Sequence, residues 1–274
     1  MKVSIAMANT MAVIAPRRFR DVVASRFVRP RVRQQTDTGR EFLATLEAGW
    51  IEGPLGRQRI YTGGTGPSVF FQHGWEADAA DLTSQAEHLL ASGFRVVLLD
   101  GPAHGASEGE IATLPLFAEG IGAAAATLGQ PFAVVAHSMG AAASVIAMSE
   151  GELVPQAFVA LASPCSLSDN IAFQAGSMGL SGRAIRLMQD GIETRLKTPI
   201  SRFDIARDAP AMTARALFIY GDRDVIVPAS AGEKASQHWP GARLDIRPGL
   251  GHRGVLRDPG VLAEVARFLD GVRG

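Results

Sequence analysis

From residue 40 onward the chain alternates two kinds of segment: short unbroken apolar runs, and longer stretches in which apolar residues recur every three or four positions. The runs SVFFQHG (68–74), FRVVLLD (94–100), FAVVAHS (132–138), QAFVALAS (156–163) and RALFIYGD (215–222) have the make-up of strands buried on both faces of a parallel sheet. FLATLEAGWIEG (42–53) and RQRIYTGG (57–64) read as two strands near a sheet edge, and ARLDIRPG (242–249) as a last strand. Helices are predicted over 81–92, about 115–128, 139–150, about 229–239 and about 260–270. This alternation predicts an α/β fold: a mainly parallel sheet of about eight strands wrapped by helices. The rhythm breaks between about 165 and 210, where glycine, serine and charged residues dominate. Ile185, Met188, Ile192 and Leu196 recur there at helical spacing, so this insertion contains at least one amphipathic helix, whose stripe reads as packing before it reads as pocket.

Composition sharpens this picture. With 274 residues, 47% of them hydrophobic, the chain can bury one sizeable core, and one globular domain from 41 to 274 is expected. Formal net charge is zero, which leaves no footprint for nucleic acid and favours a small or neutral substrate. Cys165 is the one cysteine, so there is neither an internal disulfide nor a Cys/His metal spacing. A reducing compartment suits it, and the cytoplasm is the expected location. The charge is uneven, however. Residues 1–33 hold Lys2 and seven arginines against Asp21, a net charge of +7, so the other 241 residues carry −7. The apolar run from Val3 to Ala15 before the arginines is too short to span a bilayer and poorly placed for a secretory signal. Residues 1–40 thus read as an arginine-rich N-terminal arm, packed or mobile, with peripheral membrane contact and self-contact as its alternative uses.

In an open α/β sheet, functional groups gather beyond the carboxyl ends of the strands. Those positions hold His73-Gly74-Trp75, then DGPAHGAS (100–107), then His137-Ser138-Met139-Gly140, then Asp222 and Asp224, and last His252. A serine hydroxyl is a poor nucleophile until a base takes its proton, and it must stand clear of the sheet to reach an acyl carbon. A tight turn between a strand and a helix does this, provided that the flanking residues are small. Ala136 and Gly140 flank Ser138 at the two positions where bulk would collide. Of six histidines, His252 is best placed as the general base. His137 should point away from the serine, His73 and His104 should brace their loops, and His88 and His238 fall on helices with polar neighbours. No metal-binding spacing such as HExxH occurs, so neither metal nor other cofactor is expected.

Ala136-His137-Ser138-Met139-Gly140 resembles the GxSxG nucleophile elbow of the α/β hydrolases, with alanine in the first position. HGW resembles that family's oxyanion loop, DGPAHGAS its DxPGHGxS loop with Ala103 in a glycine position, and YGDRDVIVP its acid-bearing turn. GWE and GLGHRGVLRDP narrow the likeness to small bacterial members of the family. The resemblance implies an eight-stranded α/β-hydrolase sheet with residues 165–210 as a short helical lid. It also implies a serine hydrolase acting on small or medium carboxylic esters or thioesters through an acyl-enzyme. Ser138 would be the nucleophile, His252 the base and Asp224 the supporting acid, with Asp222 and then Asp100 as alternatives. The backbone N–H groups of Trp75 and Met139 would hold the oxyanion. Phe173, Met178 and Met188 are candidates for lining the acyl site. An acyltransferase using the same acyl-enzyme, and a non-catalytic binding module, are the rival readings.

Overall fold

A computed structural model describes residues 4–31 and 35–274; Lys2, Val3 and Arg33 of the arm lie outside the described residues. The chain begins with three helices, α1 (Ile5–Ile14), α2 (Pro16–Phe27) and α3 (Asp37–Ala44), before β1 (Glu47–Gly53) and β2 (Gly56–Gly63). The strand expected from residue 42 therefore starts later. Thr36 caps α3 by accepting the Gly39 N–H, and Asp37 in the first turn favours a helix that carries on through Phe42 and Leu43.

The remaining elements are β3 (Ser68–Gln72), α4 (Thr83–Ala91), β4 (Arg95–Leu99), α5 (Leu114–Leu128), β5 (Ala133–His137), α6 (Met139–Ser149) and β6 (Ala157–Leu161). They are followed by α7 (Leu167–Ser177), α8 (Gly182–Leu196), α9 (Ile205–Asp208), β7 (Arg215–Gly221), α10 (Ala229–His238), β8 (Arg243–Arg247) and α11 (Pro259–Arg273). The strands form one eight-stranded sheet in the order β1-β2-β4-β3-β5-β6-β7-β8. β2 runs antiparallel to both β1 and β4, and the other pairs are parallel. From β3 the chain moves outward to β4 and then returns across β3 to β5. The loops after β3 and β5 thus diverge and open a crevice above the middle of the sheet.

The central strands are apolar at most positions because both faces are covered, with Gln72 at the end of β3 and His137 at the end of β5 as buried polar exceptions, yet the pleat still sorts them. Val69, Phe71, Val96, Leu98 and Val135 join a cluster with Leu89 of α4 and Val265 of α11. Phe70, Val97, Leu99 and Val134 join the opposite cluster with Phe117 of α5 and Ala143 of α6. The insertion folds as α7, α8 and α9 and holds its own cluster of Ile171, Ile192 and Ile200, against which Phe27, Met188 and Leu196 pack.

The described part of the arm is packed on this insertion. Ala12 and Phe19 are buried with Ala184 of α8, the Asn9 side chain bonds Gly179 and Ser181, and Arg183 donates to the Ala12 carbonyl. Gly191 makes the fit close, since a Cβ there would lie 2.8 Å from the Arg20 carbonyl oxygen.

Candidate active site

β5 delivers Ser138 to the rim of the crevice, where its φ of 52° and ψ of −125° put it in a conformation that L-residues avoid. The chain then enters α6 at Met139 and passes close over β3. A Cβ on Gly140 would lie 2.2 Å from the His73 carbonyl oxygen and 2.6 Å from that of Gln72, so only glycine fits. Ala136, fully buried beside Gln72 and Ala160 on the neighbouring strands, accommodates its methyl group. The loop after β3 comes equally near: a Cβ on Gly74 would meet the Ser138 Cβ at 2.9 Å.

His252 reaches this turn from the loop after β8. Its Nε2 lies 3.1 Å from Ser138 Oγ, and its Nδ1 lies 2.7 Å from Asp224 Oδ2. The Asp224 side chain is fully buried, and its other oxygen accepts the N–H groups of Ile226 and Val227 at 2.8 and 2.9 Å. With Asp224 accepting at both oxygens, His252 carries its proton on Nδ1 and offers a bare Nε2 to the serine hydroxyl. Asp222 is engaged elsewhere, accepting the Gly249 N–H at 2.7 Å across the ends of β7 and β8. Asp100 is also engaged, holding the N–H groups of Ala79 and Ala106 at 2.8 and 2.9 Å.

Met139 opens α6, so its N–H has no intrahelical partner, and Trp75 follows the glycine that touches Ser138. Among the described residues no acceptor is bound to either N–H. The loop carrying Trp75 is pinned from below by histidines. His73 donates from Nδ1 to the Gly74 carbonyl and accepts the Gly101 N–H at Nε2, while His104 donates to the Pro102 carbonyl and accepts the Glu76 N–H. Both must be neutral to accept. Burial pushes His73 down to about 3, with the neighbouring His104 adding to the effect, and burial lowers His104 as well.

His137 points away from Ser138, as expected, but it has a task that sequence reasoning missed. Its Nε2–H donates to the His252 carbonyl at 3.0 Å, and its ring lies 4.6 Å from the His252 ring, so it fixes the height of that loop. Burial first, and the His252 charge second, hold its pKa well below the ordinary value.

These shifts predict an acid-labile fold. Below about pH 6.5 the unfolded chain binds protons on His73, His104 and His137 that the native chain refuses, in the case of His73 down to about pH 3, so stability falls as pH falls through that window. Asp100, raised by burial to about 6, and Glu119, raised by burial and then by Glu152, work in the opposite direction, but they are two groups against three. Thermal melts from pH 7 to pH 5 should therefore show a falling Tm; a flat or rising Tm would contradict this account.

The end of the arm also reaches the site. Phe27 stacks on Trp75 with ring centroids 6.2 Å apart while packing against the Ile171–Ile192–Ile200 cluster, so one side chain joins the insertion to the loop after β3. Arg31 grips Glu76, the next residue, through Nε at 2.8 Å and Nη2 at 2.6 Å. Nothing in the spacing of an arginine-rich segment signals a partner about 45 residues downstream.

The three candidates for an acyl site are not brought together. Phe173 lines a cavity of about 380 Å³ with Cys165, Ser166, Asn170, Pro228 and Lys234. Met188 packs into the isoleucine cluster of the insertion, and Met178 stands 59% exposed at the end of α7.

Comparison with known proteins agrees with this architecture. The sequence model of the alpha/beta hydrolase family matches residues 64–265. A pimeloyl-[acyl-carrier protein] methyl ester esterase of Nitrosomonas europaea is 24% identical, the match covering 73% of this chain and 94% of that protein. Among solved structures, an esterase of Pyrococcus furiosus superposes with a TM-score of 0.70 at 20% identity, covering 90% of this chain and 100% of that one. A bacterial membrane phospholipase A superposes with a TM-score of 0.67 at 17% identity, covering 98% of this chain and 96% of that one.

Proposed function

The chain belongs to the alpha/beta hydrolase family, and we propose that within it the protein is a cofactor-independent serine hydrolase of carboxylic esters. Ester hydrolysis is the activity named for the Nitrosomonas and Pyrococcus proteins to which the chain is similar. The observation that carries the reading is the hydrogen-bonded order Asp224, His252, Ser138, at 2.7 and 3.1 Å, ending on a serine held at positive φ.

In this reading Ser138 Oγ attacks the acyl carbon as its proton passes to His252 Nε2, and Asp224 stabilises the imidazolium that results. The negative charge on the acyl oxygen is taken by the N–H groups of Met139 and Trp75, aided by the N-terminal end of α6. His252 then returns the proton to the departing alcohol or thiol, leaving an acyl group on Ser138. Water, deprotonated by the same Nε2, attacks that acyl group; the bond to Ser138 Oγ breaks as His252 hands the proton to that oxygen, which frees the acid and restores the serine. Ser138, His252, Trp75 and Met139 are not among the residues that line the cavity beside Phe173, so its volume sets no limit on the acyl group.

The test is labelling with a fluorophosphonate, read by intact mass. Wild type should gain one adduct, and Ser138→Ala should gain none. Folded wild type that stays unlabelled would remove the nucleophile from the proposal.

A further inference from the structure

The outward faces of α1 and α2 carry chemistry for which the site has no use. In α1 the inward positions Ala8, Met11 and Ala12 pack with Phe19 and Ala184. Helical periodicity places Ala6, Met7, Thr10, Val13 and Ile14 on the opposite face, where Met7 is 51%, Val13 62% and Ile14 75% exposed. No charged residue occurs anywhere in α1. The outward face of α2 is basic instead, formed by Arg17, Arg18, Asp21, Val22 and Arg26. Asp21 is paired with Arg20, while Arg17, Arg18 and Arg26 have no acidic partner among the described residues. The two helices are joined through Ala15 alone and both rest on α8, so an apolar strip lies beside a row of unpaired guanidinium groups.

We propose that this face docks on an anionic lipid bilayer, with the α1 side chains entering the acyl boundary and the α2 arginines meeting lipid phosphates. Exposed Val13 and Ile14 side by side lose hydration cost only against an apolar phase, and the adjacent arginines select a negatively charged one. The contact is interfacial, since no helix among the described residues is long and apolar enough to cross a membrane. A second copy of the chain fits the face less well. A strip one helix wide and ~15 Å long is far short of the ~800 Å² per partner that stable association needs. Pairing two such faces would also bring the arginines of both copies together. A bilayer imposes neither restriction. It would lie on the side of the insertion, against the arm whose last helical residue, Phe27, touches Trp75.

The experiment is flotation of the full chain with vesicles of phosphatidylcholine alone and of phosphatidylcholine mixed with phosphatidylglycerol. Wild type should float with the mixed vesicles and stay behind with the neutral ones, and high salt should weaken the binding. Arg17→Glu/Arg18→Glu and Val13→Asp/Ile14→Asp should each lower partitioning at least about thirty-fold while leaving Tm unchanged, because all four side chains are exposed. Wild type that fails to float with mixed vesicles overturns the proposal whatever the variants do. So do variants of unchanged Tm that float like wild type. A dimer in sedimentation velocity that Val13→Asp/Ile14→Asp disrupts would assign the strip to a second copy and overturn it too. None of these readouts depends on the hydrolase reading.

Discussion

Asparagine in place of Asp224 should lower kcat for ester hydrolysis by about 10⁴-fold, while Asp222→Asn leaves it within a few-fold of wild type. The two aspartates are two residues apart on one turn, and only the direction of their hydrogen bonds separates them. Asp224 accepts at both oxygens, from His252 Nδ1–H on one side and from the Ile226 and Val227 N–H groups on the other. An asparagine keeps only one acceptor. If its NH2 faces His252, the imidazole proton moves to Nε2 and the base is blocked just where Ser138 needs it. If its oxygen faces His252, the NH2 is driven against two backbone donors in a fully buried site. Among the described residues Asp222 accepts only the Gly249 N–H, which an amide oxygen serves as well. Initial rates on a soluble short-chain ester, with thermal melts to confirm folding, check the prediction. Equal losses in both variants would mean that the acid is misassigned.

That ambiguity shows what sequence could and could not reveal. The sheet was legible because buried parallel strands are largely apolar on both faces, and runs such as Val96–Leu99 read as strand in a chain of this rhythm. That Ser138 and His252 would come to one edge of the sheet was legible because strand ends are where an α/β sheet places its functional groups. The choice between Asp222 and Asp224 rested on resemblance alone, since either could follow β7 into the site, and three-dimensional bonding distinguishes them. The start of β1 was misjudged because Phe42 and Leu43 suit a strand or a helix, and the capping of α3 by Thr36 decides locally. His137 and Phe27 were beyond reach for a different reason. Their partners lie 115 and 48 residues away in sequence, at His252 and Trp75, and neither has a spacing rule that points so far.

The two small residues flanking Ser138 should behave unequally. Gly140→Ala forces a methyl group to within 2.6 Å of the Gln72 carbonyl oxygen, at the end of β3 in the centre of the sheet, and within 2.2 Å of that of His73 just beyond it. Neither oxygen can move without shifting the loop that carries Gly74 and Trp75. The helix gains about 1 kcal/mol from replacing glycine by alanine, but overpacking against rigid backbone costs about 3 kcal/mol or more. A net loss of at least about 2 kcal/mol corresponds to a fall in Tm of at least about 4 °C for a domain of this size. Fluorophosphonate labelling should be lost with it, because the same displacement moves Ser138 off His252. Ala136→Gly removes a methyl group that is already accommodated, so it costs about 1–2 kcal/mol of burial and strand entropy and leaves the label in place. Melting curves and intact-mass labelling of the two variants side by side measure both effects. If Gly140→Ala retained wild-type Tm and labelling, the close approach of α6 to β3 would not be what holds Ser138 in its strained turn.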